Sequence, residues 1–270
     1  MDLSMISLRA STAPLFDFEE YEKLREEWAR KAKWDAKPGE YECPVCGNKR
    51  IFLHHRENVA GFGSTPCICQ EICKNWNHIR QSGMEDLLQR HSFENYRVTE
   101  PWQTTVFRGA QEYAAEPRGW ILLAGQSGAG KTHLCSAICR VLAARRLEFR
   151  YMPWREEIMA LKGLATDYAQ REQKMERLRT APYLFIDDLF KAGADAAGKN
   201  VTRSDLDHAF ELLNYRYNKK LPTIISTELY PAELEELDEA LHGRILERCG
   251  KHVYTIKRDP ARNHRVKAAG

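Results

Sequence analysis

From about residue 120 onward, short runs rich in apolar residues alternate with longer segments whose apolar residues recur every three to four positions. The runs at 120–124, 147–152, 183–187, 223–227 and 252–256 predict strands. Between them, 131–146, 156–179 (interrupted near Gly163), 204–219 and 232–249 predict helices, and in the third Leu206, Phe210, Leu213 and Tyr217 fall on one face. Strands that are apolar throughout, rather than alternating, are the kind buried on both faces. Helices of this length between them carry the chain from one strand to a parallel neighbour. The expected fold class is α/β: a mainly parallel sheet covered by helices on both faces.

The first third reads differently. Residues 17–35 predict a charged amphipathic helix, with Phe18, Tyr21, Leu24 and Trp28 at helical spacing, broken by Lys37-Pro38-Gly39. Residues 40–80 have little periodicity and carry a cluster of cysteines, and Ser82-Gly83-Met84 has the composition of a hinge. Two domains are expected, 1–81 and 82–270.

Composition narrows the classes without choosing among them. Of 270 residues, 43% are hydrophobic and 29% charged, enough apolar material for a packed core. No apolar run approaches the roughly 20 residues of a membrane-spanning helix, and the opening MDLSMISLRAST has neither a basic start nor a secretory apolar stretch. A cytoplasmic protein is therefore expected. Net charge is only +3, but it is uneven: 228–239 is acidic and 244–267 basic. A basic end favours phosphate and is equally an ordinary solvated surface.

The strongest chemical signal is Gly125-Gln126-Ser127-Gly128-Ala129-Gly130-Lys131-Thr132, which satisfies G-x-x-x-x-G-K-[ST] between a predicted strand and a predicted helix. Small residues let backbone N–H groups approach phosphate oxygens, and the helix aims its positive end at the same anion. Lys131 is expected to bridge the β- and γ-phosphates and Thr132 to offer its hydroxyl to Mg²⁺. The strand at 183–187 ends in Asp187-Asp188. Asp187 is expected to support the metal shell and Asp188 to orient and deprotonate water, which points to hydrolysis. The strand at 223–227 ends in Thr227 and Glu228, either of which is placed to contact the γ-phosphate or the water.

Of eight cysteines, Cys135, Cys139 and Cys249 sit in apolar surroundings and read as core. Cys43 and Cys46 form a CxxC knuckle followed by Gly47, and Cys67 and Cys69 supply a second pair. Four thiolates in that arrangement fit a closed structural zinc site, which contributes folding energy to a segment too short for its own core. Cys73 is a substitute ligand and His54 or His55 weaker ones; free thiols and an iron–sulfur cluster are the competing readings.

Together these residues resemble AAA+ ATPases, and more narrowly the DnaC/DnaI-type replicative helicase loaders and the related IstB-type transposition ATPases. The resemblance is carried by the phosphate loop, the run from Phe185 to Lys191, the segment from Asp205 to Tyr217, the run from Leu221 to Thr227, and Ser92-Phe93-Glu94-Asn95-Tyr96, a box near the expected adenine. It covers about 82–267, and the cysteine unit is similar to the loaders' zinc-binding N-terminal domain.

The resemblance implies an AAA+ core that binds ATP and Mg²⁺, assembles with copies of itself, and loads a hexameric DnaB-type replicative helicase onto single-stranded DNA. It implies Arg244 as an arginine finger reaching a neighbour's ATP, with Arg248 one helical turn on as the fallback, and Arg265 as a weaker match to a lid arginine. At the sensor position it favours Thr227 over Glu228, because a glutamate aimed at ATP would be repelled. It implies helicase docking by the cysteine unit and DNA contact by the segment from Tyr151 to Thr180, where Arg150, Trp154, Arg155, Lys162 and Arg171 offer charge and one ring. A transposition helper or ATP-switch adaptor shares the same core motifs. A P-loop kinase for a small acceptor is disfavoured by the paired carboxylates and the absence of an evident acceptor-binding lid.

Overall fold

The computed structural model describes Cys46 and residues 49–55, 62–67, 69–70, 79–81, 83–191, 201–259 and 262. The helix expected at 17–35, Cys43, Cys73, Arg265 and the side chains of His54 and His55 lie outside the described residues. The chain divides into two compact units, Met1–Trp76 and Asn77–Gly270. Among the described residues no helix is long and apolar enough to cross a membrane.

In the first unit, β1 (Ile51–His55) and β2 (Phe62–Pro66) pair antiparallel, with Ile51 opposite Pro66. The hairpin lies in sequence between Cys46 and the pair Cys67 and Cys69, and it returns the chain so that the two cysteine segments meet. Cys67 N–H donates to Arg50 O at 2.9 Å, which ties the two segments together.

Ahead of the sheet the second unit has two helices that the apolar pattern does not announce, α1 (Glu85–Arg90) and α2 (Pro101–Ala115). α2 begins with a reciprocal cap between Glu100 and Gln103 and has Pro101 in its first turn, both ordinary start signals. The core then follows: β3 (Trp120–Gly125), α3 (Lys131–Ala144), β4 (Phe149–Pro153), α4 (Trp154–Gly163), α5 (Tyr168–Arg179), β5 (Tyr183–Leu189), α6 (Arg203–Asn218), β6 (Thr223–Thr227), α7 (Pro231–Leu237), α8 (Glu239–Cys249) and β7 (Val253–Ile256). All five predicted core strands are present, shifted at their ends by no more than two residues. The helix expected over 232–249 is instead two, because Asp238 leaves helical geometry and its side chain accepts from Leu241 N–H to start α8. The expected 156–179 helix is interrupted at Gly163 as its pattern predicts, giving α4 from Trp154 to Gly163 and α5 from Tyr168 to Arg179.

The five strands are parallel, in the order β4-β5-β6-β3-β7. Every residue of β3 and β6 is buried, as a central parallel strand requires. The pleat sends Trp120, Leu122 and Ala124 to one face, where they join Ile186 and Ile225 beneath α4 to α8. Ile121 and Leu123 project from the opposite face, where α2 and α3 pack against the sheet. On α6 the buried stripe is His208, Ala209, Leu212, Leu213 and Arg216; Leu206 and Tyr217 flank it rather than centre it.

Arg216 is fully buried at the rim where β5 and β6 begin. Its guanidinium donates to the Ala181 carbonyl at 2.7 Å, the Pro222 carbonyl at 2.6 Å, the Arg179 carbonyl at 3.1 Å and Thr223 Oγ1 at 3.0 Å. Burial draws its pKa down to about 9.

Because β6 lies between β3 and β5, the C-terminal ends of three strands meet at one place. The β5–β6 register shifts between Ile186 and Leu189, which is where Asp187 and Asp188 stand. Asp188 and Phe190 take left-handed backbone angles, φ 56° and 62°. A bulge of this kind turns side chains away from the regular pleat, and here it delivers both carboxylates to the sheet's upper edge.

Candidate phosphate-loop site

The loop from β3 to α3 is shaped by its glycines. Gly125 has φ 108°, and a Cβ there would lie 2.1 Å from the Ile256 carbonyl oxygen, so no side chain fits. Gly128 and Gly130 are also left-handed, at φ 73° and 86°. Left-handed residues alternating with right-handed ones make a concavity of N–H groups, and α3 starts at its floor. Lys131 is buried, and its ammonium donates to the carbonyls of Gly125 and Gln126, each at 2.8 Å. Burial lowers its pKa, while Asp188 and Glu228 work to raise it.

Asp187 gathers hydroxyls. Its Oδ1 accepts from Thr132 Oγ1 at 2.9 Å and Ser226 Oγ at 2.5 Å, and its Oδ2 from Tyr151 OH at 3.1 Å. Burial raises its pKa, opposed by the hydrogen bonds from Ser226, Thr132 and Tyr151. A hydroxyl and a carboxylate side by side are hard oxygen donors of the kind magnesium takes. Asp188 is held from both sides: its N–H donates to Ser226 Oγ at 2.8 Å and its Oδ2 accepts from Lys191 Nζ at 2.7 Å. Lys191 also reaches Glu228 Oε1 at 3.0 Å.

These groups face a cavity of about 280 Å³ lined by Ser127, Lys131, Thr132, Asp188, Lys191 and Glu228, with His91 at its side. The Ser92–Tyr96 box sits against the base of α3. His133 Nε2 is 2.9 Å from Ser92 O, and a Cβ at Gly130 would come within 3.0 Å of the Tyr96 ring. His91 and His133 stack at 4.6 Å between ring centroids.

In the first unit, the sulfurs of Cys46, Cys67 and Cys69 lie within 4.8 Å of one another and all are buried. Cys46 and Cys69 are 3.6 Å apart, and Arg50 N–H donates to Cys46 Sγ at 3.2 Å. Zinc–sulfur bonds of about 2.3 Å in a tetrahedron set sulfur atoms roughly 3.8 Å apart, so the donor set fits such an ion.

Residues 87–249 match the model of the bacterial DnaA ATPase domain. The chain belongs to that family. Protein XkdC of the phage-like element PBSX in Bacillus subtilis (strain 168) is 31% identical over 228 residues, 80% of this chain and 83% of its own. The replicative helicase loader DnaC of Escherichia coli (strain K12) is 28% identical over 182 residues, 65% of this chain and 70% of its own. The crystal structure of the DnaI superposes with a TM-score of 0.50 at 25% identity, covering 64% of this chain and 92% of that one. The AAA+ core expected from the sequence is thus found both in the fold and in the family.

On this DnaA-family core the phosphate-loop residues, Asp187 and Asp188 converge at the C-terminal ends of β3 and β5. Thr227 does not join them. Its hydroxyl is fully buried, donates to Leu189 O at 2.8 Å and accepts from Leu229 N–H at 3.2 Å, on the opposite side of β6. Ser226 and Glu228 are the β6 groups at the loop, and the strand's two-residue alternation is the signal that separates them from Thr227.

Arg244 lies on α8, outside the cavity's lining. Its guanidinium stands 4.9 Å above the Phe210 ring and 5.8 Å from that of Tyr217, and it donates to Ala240 O at 2.8 Å. Among the residues expected at DNA, Trp154 is buried against Phe190, Lys162 pairs with Asp205 at 2.7 Å and Arg171 with Glu211 at 2.6 Å. Arg155 remains exposed, and the exposed ring of this segment is Tyr168. Cys135, Cys139 and Cys249 are core residues, their thiols pushed far up by burial.

Proposed function

We propose that this chain is an ATP-dependent loader that delivers a hexameric DnaB-type replicative helicase onto single-stranded DNA as replication begins. The observation that carries the reading is a complete phosphate-loop site, with Lys131, Thr132, Asp187 and Asp188 in mutual register, in a chain related to DnaC over most of its core.

In this reading the amides of 126–131 and Lys131 hold the triphosphate, and Thr132 with Asp187 holds magnesium. Magnesium-bound ATP supplies the phosphoanhydride and the cation that draws charge from its outer phosphates. Asp188 orients the attacking water and takes its proton. Ser226 fixes both carboxylates through one hydroxyl, so that the metal-side and water-side groups keep a constant spacing. Arg244 completes the site of a neighbouring copy, which makes hydrolysis depend on self-assembly. Cys43, Cys46, Cys67 and Cys69 bind zinc, and the unit they staple docks the helicase.

The test is co-purification with a candidate replicative helicase, with and without ATP, alongside ATP-dependent binding to a labelled single-stranded oligonucleotide. Capture of the helicase and nucleotide-dependent DNA binding are the expected results. Failure of both would end the loader reading while leaving the ATPase fold untouched.

A further inference from the structure

The site contains a difficulty that Lys191 resolves. A pocket for a triphosphate should be positive, yet Asp188 and Glu228 both line this one. Glu228 is not turned aside: it lines the cavity together with Ser127 of the phosphate loop. Between the two carboxylates stands Lys191 Nζ, 2.7 Å from Asp188 Oδ2 and 3.0 Å from Glu228 Oε1, at the junction of the β5 and β6 strand ends. Of the charged side chains around the cavity, Arg90, Lys131 and Lys191 stand against Asp188 and Glu228, a net single positive charge that vanishes without Lys191.

We infer that Lys191 is a second lysine of the nucleotide pocket, a positioning residue that neutralises Glu228 and holds Asp188 so that a polyphosphate can enter beside two carboxylates. The inference rests on the proposed ATP site. Burial opposes the charge on Lys191, but the hydrogen bonds it donates to Asp188 and Glu228 override that, so the lysine stays protonated throughout the neutral range. The same bond overrides burial at Glu228 and keeps that carboxyl below its ordinary pKa. The pair is therefore ionised, and its charges cancel where the polyanion approaches. An ordinary exposed ion pair would contribute little to anything. This one is half-buried and shares its cavity with Lys131.

The experiment is calorimetric titration of the full chain with magnesium-bound ATP, comparing wild type, Lys191→Met, Glu228→Gln, the double variant and Lys191→Arg, with Lys131→Ala as the reference for a broken site. Lys191→Met exposes an uncompensated carboxylate to the triphosphate and is expected to weaken binding about tenfold at low salt. Glu228→Gln should bind no worse than wild type. The double variant should return to within about twofold of wild type, since the repulsion and its cure leave together. Lys191→Arg should retain most of the affinity. Wild-type affinity in Lys191→Met, or a double variant as weak as Lys191→Met, overturns the inference while binding by wild type and its loss in Lys131→Ala leave the ATP site standing. If Lys191→Met does not fold, the inference stands or falls on the double variant and Lys191→Arg, either of which overturns it by binding tenfold weaker. Absence of ATP uptake by the wild type overturns both readings.

Discussion

Ser226 Oγ donates to Asp187 Oδ1 across 2.5 Å, and the same oxygen accepts the N–H of Asp188 at 2.8 Å. One hydroxyl on β6 thereby sets the positions of two consecutive carboxylates on β5. Ser226→Ala removes both bonds from a buried site, a loss of about 1–3 kcal/mol in stability. Hydrolysis is expected to fall more steeply than ATP affinity, because Lys131 and the loop amides remain. Melting curves and steady-state ATPase assays check this; unaltered turnover would remove Ser226 from the site.

Arg244→Ala should leave ATP binding intact and reduce hydrolysis by about a hundredfold or more if the side chain acts on a neighbour. Lys131→Ala supplies the complement, an intact arginine beside a broken loop. Mixing the two inactive variants is expected to restore part of the activity, since mixed assemblies contain complete sites. No recovery on mixing would argue that Arg244 serves only its stack on Phe210 and Tyr217, worth about 0.5–1 kcal/mol.

The stacked histidines predict a pH dependence. Burial, then His133, then Arg90 lower the pKa of His91 from 6.5 to about 4, and burial lowers that of His133 as well. Between those values the unfolded chain binds the proton more readily than the folded one, so stability rises with pH across the window and falls as pH drops through it. With the His91 ring only half-buried, the expected loss from pH 7 to pH 4.5 is about 1–2 kcal/mol. His91→Phe should flatten that part of the profile in denaturant titrations; parallel profiles for variant and wild type would exclude the histidine.

The converging thiols predict about one zinc per chain in material purified without chelator. Cys46→Ser should lower the zinc content measured by mass spectrometry of the metal. Stripping the ion should make the cysteines of this unit reactive toward a thiol reagent, while buried Cys135 and Cys139 stay silent until the core unfolds. Metal-free native protein with the same melting behaviour would refute a structural zinc site.

Much of this is legible in the amino-acid sequence. β3 is apolar throughout and β5 opens on the apolar run Leu184-Phe185-Ile186, so burial of the sheet's centre on both faces is legible from composition. The phosphate loop is local, eight consecutive residues whose identities encode their own backbone. What escaped was whatever depends on pairing between distant segments. Lys191 and Glu228 meet only because β5 and β6 are neighbours, so the repulsion that favours Thr227 over Glu228 in the sequence takes no account of the lysine beside that glutamate. The break at Asp238 was hidden for another reason. Leu234, Leu237, Leu241 and Ile245 keep a helical spacing straight across it, while a single capping carboxylate ends one helix and begins the next.

Arg216 has a consequence for how variants of this protein can be interpreted. Its guanidinium binds together the lower margin of the sheet through carbonyl oxygens and one hydroxyl, whereas the candidate phosphate-loop site occupies the upper margin. Anchorage and reactivity are thus assigned to opposite ends of the same strands. Damage at the lower end is a folding defect whatever else it changes, and a lesion at the upper end can abolish the proposed ATP turnover in a protein that still holds its shape.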